Sequence, residues 1–432
     1  MKNSFSILEY RSIYYDKDNK YQLDSSGNLA VPKKVFDDLK QFVLKNNEQT
    51  LFLKPSYKKG LGETLQAQNY VGVIQTKDGT TIEILPKIQN LDTNESKRIL
   101  IKMLKTLKKS PFKNFNMAHL KSSKMPLFEI FITMFLDELS KLLKKGLKSD
   151  YITKEENNKF LKGKLKINQQ IQMNYIHKEK FFVEYQEFLS DRIENRLIKS
   201  ALEFLYKKSR SNQNQQRIRE FLFVFDAIEV SHTIKNDFTK IKLNRQMKDY
   251  EQTLLWCRTF LLENSFTPYK GSDLAFALLF DMNLLFESYV GHYLKKKGLN
   301  VSLQDKGKYL VEEPNKFALR PDIVINEDEQ LIADTKWKII KDEKDIAQAD
   351  MYQLYAYGTK YKECSKLYLI YPYDNKHLNL RYLYQQEENE KLVLNVLFFD
   401  LALNEPAFYI QDSVDLKYEL LKKYNEPQKL NQ

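Results

Sequence analysis

Up to about Asn90, apolar and polar residues alternate in short runs, the period of strands with one buried face. Ser6–Tyr10 and Thr50–Pro55 are two such runs. Tyr70–Gln75 and Thr80–Ile88 are two more. Lys77-Asp78-Gly79 between them predicts a hairpin, because Asp-Gly readily supplies the left-handed backbone of a tight turn. Val31–Leu44 interrupts the strands with a helical pattern, and Pro32 stands near its start, where a missing N–H costs nothing. From Asn94 to about Lys145 the period lengthens to that of helices. Ile99, Leu100, Met103, Leu104 and Leu107 form one stripe, and Leu127–Leu143 another that ends in lysines and Gly146. Phe160–Tyr185 reads as strands and loops with basic and aromatic residues mixed, and Asp191–Leu205 as a further amphipathic helix.

Beyond these, the pattern predicts a long helix over Leu274–Lys297, capped by Ser272 or Asp273 and stopped at Gly298. Phe276, Leu279, Phe280, Asn283, Phe286 and Glu287 fall near one face of it. On spacing alone Glu287 reads as a flank residue facing solvent. A short strand at Asn300–Leu303 follows, then two apolar strands, Leu319–Ile325 and Leu331–Trp337, joined by a polar turn. Asp345–Tyr361 is helical in pattern and Lys366–Pro372 is a buried strand, which completes an αβββαβ run, a sheet sandwiched by helices. Later strands are expected at His377–Tyr384 and Leu392–Asp400. The chain thus reads as a multidomain α+β protein. A β-rich region spans 1–92, a mainly helical region 93–265, an α/β domain with a mixed sheet 266–424, and a disordered tail 425–432.

Composition narrows the function classes. The chain has 432 residues, 42% hydrophobic and 13% aromatic, enough for two or three cores. Two cysteines, Cys257 and Cys364, exclude a disulfide scaffold and a cysteine zinc site. Met1-Lys2-Asn3-Ser4 does not open a signal peptide and no long uncharged apolar run occurs, so a cytosolic protein without a membrane span is expected. A net charge of +12 favours an anionic partner, nucleic acid being the usual one. Lys59-Gly60-Leu61-Gly62-Glu63-Thr64 and Lys162-Gly163-Lys164 both fail the spacing of a phosphate-cradling loop. A motor acting with this protein would be another chain.

The candidate chemistry lies on the apolar hairpin. Side chains alternate along a strand, so Asp334 and Lys336 share one face and Thr335 and Trp337 the other. Pro321-Asp322, the one Pro-Asp of the sequence, places a second carboxylate where the neighbouring strand can bring it alongside. Two carboxylates and an ammonium on an apolar hairpin are costly to bury, and a divalent cation would compensate them. A surface salt bridge between Asp334 and Lys336 is the competing reading. Asp342-Glu343-Lys344 and Asp374-Asn375-Lys376 repeat the spacing in polar surroundings without a flanking apolar strand.

Pro-Asp followed by Asp-x-Lys resembles the core of the PD-(D/E)xK nucleases. Further stretches resemble the McrC family, the nuclease subunit of modification-dependent restriction systems. They are Asn69–Ile74 with Ile82–Ile88, Leu161–Lys164, Phe280–Val290, Arg320–Val324, Asp334–Lys338 and Asp350–Gly358, in the family's order and through most of the chain. The resemblance implies an endonuclease domain in which Asp322 and Asp334 ligate Mg²⁺ (or Mn²⁺), with the Thr335 carbonyl as a possible third ligand. Glu287 would complete the acidic site. Lys336 would orient or deprotonate the attacking water, and Gln353 and Tyr357 would form the Gln-x-x-x-Tyr element near the metal and the DNA backbone. It also implies double-stranded DNA as substrate and a McrB-like AAA+ ring as partner. That ring would bind the GTP and be stimulated by this chain, with the β-rich region and following helices docking. A LlaJI-like nuclease subunit for a defined sequence, a non-catalytic regulator of an AAA+ ring, and a basic DNA-binding protein are the alternatives.

Overall fold

The computed structural model describes residues 4–18, 20–46, 52–88, 91–108, 110–114, 125–242, 244–262, 275–326, 330–361, 364–374, 380–384, 392–403 and 407–409. The expected caps Ser272 and Asp273, and the tail from residue 425, lie outside them. The fold is α+β. It divides into two compact units, Phe128–Ser265 forming one and Asn3–Leu127 with Phe266–Gln432 the other. The β-rich beginning of the chain and its α/β end thus fall in a single unit.

In that larger unit a four-stranded sheet joins the two ends. Ser4–Leu8 runs parallel to Thr81–Leu85, which pairs antiparallel with Tyr70–Thr76, which pairs in turn with Ala275–Asp281. A five-stranded sheet from Gln22–Leu23, Leu29–Pro32, Ser12–Asp16, Gly62–Ala67 and Leu53–Lys58 lies beside the helix Lys33–Asn46, and Ile13, Leu29, Phe36, Leu39, Phe52 and Ile74 belong to one apolar core. Glu83, fully buried, is not left bare: Lys97 from the helix Thr93–Leu104 pairs with it at 2.7 Å and the Ser6 hydroxyl donates to it at 2.6 Å.

One sequence expectation is corrected here. Ala275–Asp281 is a strand, and the helix begins only at Met282, running to Lys296. Phe276, Leu279 and Phe280 therefore belong to the sheet and make no helical stripe with Phe286. Ala-Phe-Ala-Leu-Leu-Phe has no polar residue to mark a period, and a strand buried on both faces presents the same run as a buried helix. The cap is Asp281, whose carboxylate accepts from the Asn283 N–H at 2.8 Å. The C-terminus is as read, with Lys295 and Lys296 in the last turn and Gly298 at φ +93° beyond it.

The seven-stranded sheet that follows runs Val301–Leu303, Ile323–Asn326, Gln330–Thr335, Cys364–Pro372, Leu392–Asp400 and Arg381–Tyr384, with Ala407–Tyr409 also paired to Leu392–Asp400. The first three strands are antiparallel, and the next two pairings are parallel. The helix Gln348–Lys360 supplies the crossover from Gln330–Thr335 to Cys364–Pro372, and Leu354, Tyr357 and Tyr361 belong to the apolar core with Val324, Ile332, Leu367 and Leu369. This is the αβββαβ order. A small hairpin, Tyr309–Val311 with Lys316–Ala318, is inserted after its first strand.

In the smaller unit, helices Ile193–Lys208, Asn212–Val224 and Glu251–Leu261 accompany the helix that starts at Leu127. Trp256 stacks on Phe260 at 5.4 Å and Phe260 meets Phe135 edge-on at 5.8 Å, which marks its core. Buried Glu129 accepts from the Ser209 hydroxyl and the Asn214 amide, each at 2.8 Å. A three-stranded antiparallel sheet, Lys164–Leu165, Phe181–Leu189 and Asp150–Asn158, carries the helix Ile167–Asn174, which the sequence pattern does not announce.

Candidate active site

The hairpin register sets the site. Ile323 pairs with Ala333, so the same antiparallel register carries Asp322 opposite Asp334. Like charges directly across a ladder repel, and here they do so with little solvent, since Asp334 is 1% exposed. Thr335 holds Asp322 from the neighbouring strand: its N–H and its hydroxyl both donate to Asp322 Oδ2, each at 2.9 Å. Lys336 lies just past the strand end, its N–H still donating to the Ile370 carbonyl at 2.9 Å. That backbone bond aims the side chain. Lys336 Nζ stands 2.6 Å from Asp334 Oδ2 and 3.8 Å from Asp350 Oδ1. Asp334 Oδ1 is buried and accepts no hydrogen bond.

Glu287 is brought to the same place by the helix Met282–Lys296. It is 7% exposed, which corrects the reading of a solvent-facing flank residue. Its Oε2 accepts from the Gln304 amide at 2.7 Å, and the same amide lies 3.5 Å from Asp322 Oδ1. On the far side, the helix Gln348–Lys360 presents Gln353 and Tyr357 one turn apart. Gln353 Nε2 donates to the Tyr357 hydroxyl at 2.6 Å, and Gln353 Oε1 lies 3.5 Å from Lys336 Nζ. The Tyr357 hydroxyl donates to the Arg320 carbonyl at 3.2 Å, tying this helix to the residue pair before Asp322. Asp322, Asp334, Thr335, Lys336, Glu287, Gln353 and Tyr357 are thus gathered into one cluster.

The electrostatics follow from crowding. Burial, then the neighbouring Asp322, raises Glu287 to about 7. Burial also raises Asp322 and Asp334 above the usual carboxylate range; the Asp322 charge adds to the shift of Asp334, and Lys336 opposes it. For Lys336 burial disfavours the ammonium, but Asp334, Asp350 and Asp322 outweigh it and leave its pKa raised. The group is therefore a protonated donor among carboxylates that resist ionising together.

Such a site suits a small, hard cation. Among the described residues no three His, Cys, Asp or Glu side chains stand in a ligand arrangement. An ion would thus rest on one or two carboxylates completed by backbone oxygen and water, the usual coordination of Mg²⁺. Asp334 Oδ1, buried and unpaired, is the oxygen such an ion would satisfy.

Three neighbours escape the sequence reading as site residues: Gln304, Asp350 and the Arg320 carbonyl. Asp350 shows at helical spacing from Gln353 and Tyr357 but carries no motif. Gln304 has no sequence signal, because its place depends on the helix and hairpin meeting around it. Among the described residues no helix is long and apolar enough to cross a membrane.

Solved structures that resemble the chain include two McrBC assemblies. McrC in a refined half-complex from a tetradecameric assembly of Thermococcus gammatolerans McrB AAA+ hexamers with bound McrC has a TM-score of 0.66 at 19% identity, covering 93% of this chain and 96% of that one. A cryo-EM structure of the Thermococcus gammatolerans McrBC complex gives a TM-score of 0.50 at 21% identity, over 71% of this chain and 90% of that one. Among curated proteins none matches. Residues 65–372, well over half of the sequence, match the family described as McrBC 5-methylcytosine restriction system component; the chain shares the fold of McrC and belongs to that family.

Proposed function

We propose that this chain is the DNA endonuclease subunit of a McrBC-type restriction system, hydrolysing phosphodiester bonds with Mg²⁺ or Mn²⁺ when assembled with a GTP-hydrolysing AAA+ ring. The observation that carries the reading is Asp334, buried on an apolar hairpin with Lys336 Nζ at 2.6 Å and the half-buried Asp322 opposite it in register. A structural ion pair accounts for Asp334 Oδ2 and Lys336. It leaves the uncapped Oδ1 and the convergence of Glu287 and Asp322 unexplained.

Asp322 and Asp334 would hold the ion with the Thr335 carbonyl, and Glu287 would complete the acidic wall. The ion, when bound, supplies charge neutralisation at the phosphate and a more acidic water. Lys336 keeps a proton at Nζ and points it between Asp334 and Gln353, where it orients a water and offsets charge developing on a phosphate oxygen. Gln353 and Tyr357 brace that lysine from the helix behind it. The net charge of +12 supports a DNA partner.

A ring partner is supported by the family and by the fold of McrC that Thermococcus gammatolerans McrB hexamers bind. We place stimulation of the ring's GTP hydrolysis on this chain too. The β-rich beginning is the docking region that family resemblance implies. Exposed apolar side chains in the smaller unit, among them Tyr151, Phe160, Ile171, Tyr175, Ile176 and Phe188, offer a second candidate.

The test is cleavage of methylated and unmethylated plasmid with Mg²⁺, GTP and the AAA+ partner, comparing wild type with Asp334→Ala while GTP hydrolysis is followed in the same tubes. Loss of cutting by at least about 100-fold with stimulation retained supports both halves of the reading. Undiminished cutting by Asp334→Ala overturns the active-site assignment. Stimulation without cutting by wild type, on DNA known to be a substrate, favours a non-catalytic regulator.

A further inference from the structure

Gln304 is a residue that neither motif nor family resemblance singles out. It follows the strand Val301–Leu303 and has φ +54°, a left-handed backbone that glycine and asparagine adopt far more readily than glutamine. A residue kept in that conformation has its side chain aimed by the surrounding structure. Here the Gln304 N–H donates to the Asp322 carbonyl at 2.9 Å, which fixes the turn against the hairpin. From there the carboxamide reaches both acids at once, Nε2 lying 2.7 Å from Glu287 Oε2 and 3.5 Å from Asp322 Oδ1. Asp322 Oδ2 already takes two donors from Thr335. Gln304 is thus the link between the helix Met282–Lys296 and Oδ1 of Asp322.

We propose that Gln304 is a positioning residue of the acidic site: its carboxamide clamps Glu287 against Asp322 and so sets the separation at which the carboxylates take up a divalent cation. This rests on the metal-dependent reading above. Two carboxylates that repel each other swing apart unless something bridges them, and a neutral amide donor bridges them without adding a charge that would compete with the ion. A basic residue in its place would neutralise the acids and repel the cation. Hydrogen-bond partners of metal ligands typically tune metal affinity by about 10- to 100-fold.

The experiment is Mn²⁺ binding to the full chain by titration calorimetry, with wild type, Asp334→Asn, Gln304→Gly and Gln304→Leu. Glycine suits φ +54° better than glutamine, so Gln304→Gly relieves the backbone while deleting the clamp, and its thermal midpoint in EDTA should stay level or rise. Both Gln304 variants should bind Mn²⁺ at least about tenfold more weakly. Their cleavage should recover at saturating metal, a shift in metal dependence that a merely destabilised protein would not give. Wild-type binding that is lost in Asp334→Asn but unchanged in both Gln304 variants overturns the inference alone. Wild-type binding no tighter than that of Asp334→Asn overturns the metal reading, and the inference with it.

Discussion

The Glu9 carboxylate accepts a hydrogen bond from the Trp337 indole at 2.8 Å, across a separation of 328 residues, and Trp337 directly follows Lys336. The Lys87 N–H donates to the same oxygen, Oε1, at 2.8 Å, while Oε2 is buried with no partner. The residue just after the strand Ser4–Leu8 is therefore bonded to the neighbour of the candidate catalytic lysine. Burial pushes Glu9 up from 4.5 to about 7, against the pull of the Lys87 and Trp337 bonds. A raised folded-state pKa means the folded protein binds the proton more tightly. The stabilisation is complete below about pH 4.5 and is lost as pH rises through about 7. Glu9→Gln keeps the accepting oxygen and removes the ionisation. Above pH 7 it should be more stable than wild type by about 1–2 kcal/mol, with a flatter profile between pH 4.5 and 7. Urea unfolding across that range checks this, and parallel profiles for the two proteins would refute it.

Gly72 belongs to the Asn69–Ile74 stretch that carries part of the family resemblance, and its reason is steric. It pairs with Ile84 on one side and Leu279 on the other, at φ +139°. A Cβ there would stand 2.1 Å from the Leu278 carbonyl oxygen, a backbone atom that cannot swing away. The strand it would displace, Ala275–Asp281, runs straight into the helix bearing Glu287, and the Met282 N–H is fixed on the Asn69 carbonyl at 2.9 Å. Gly72→Ala should cost about 2–4 kcal/mol of unfolding free energy. It should also lower cleavage more than GTPase stimulation. A stability within 0.5 kcal/mol of wild type, the range of neutral surface changes, would mean that the two strands can part at little cost.

What the sequence discloses depends on how local the physics is. Asp322, Asp334 and Lys336 stand within one hairpin, and strand alternation plus a short turn is enough to bring them together. Gln353 and Tyr357 are four apart on a helix, again a local relation. Glu287 is different. Its burial is made by Gln304 and the hairpin, elements that approach it only in the folded chain, so spacing on its own helix points the wrong way. The strand Ala275–Asp281 is hidden because an unbroken apolar run carries no period, and its partner, Tyr70–Thr76, lies some two hundred residues earlier.

Lys336 separates two roles of one charge. Its ammonium neutralises Asp334 and reaches toward Asp350 and Gln353. Lys336→Met leaves Asp334 buried without a counter-charge. Metal-free protein at neutral pH should then be less stable by about 1–3 kcal/mol, and cleavage should fall by about 100-fold or more. Lys336→Arg should restore the stability but little of the cleavage, because a planar fork does not present its protons where a compact ammonium does. Thermal melts in EDTA alongside single-turnover cleavage distinguish the two effects. Cleavage restored by arginine would reduce the lysine's role to charge alone.

The exposed apolar residues of the smaller unit yield the last prediction. Tyr175 is 79% and Ile176 84% exposed, at the end of the helix Ile167–Asn174, and neither contributes to a core. Large apolar groups left in water are a cost that a partner surface recovers. Tyr175→Ser with Ile176→Asp removes that apolar area and adds one charge. Because both side chains already face solvent, the isolated chain should melt within about 0.5 kcal/mol of wild type. If this surface meets the AAA+ ring, association should weaken by about tenfold or more, with GTPase stimulation and ring-dependent cleavage falling together and regained at higher subunit concentration. Unchanged stimulation at limiting concentration would clear this surface and return docking to the β-rich beginning of the chain.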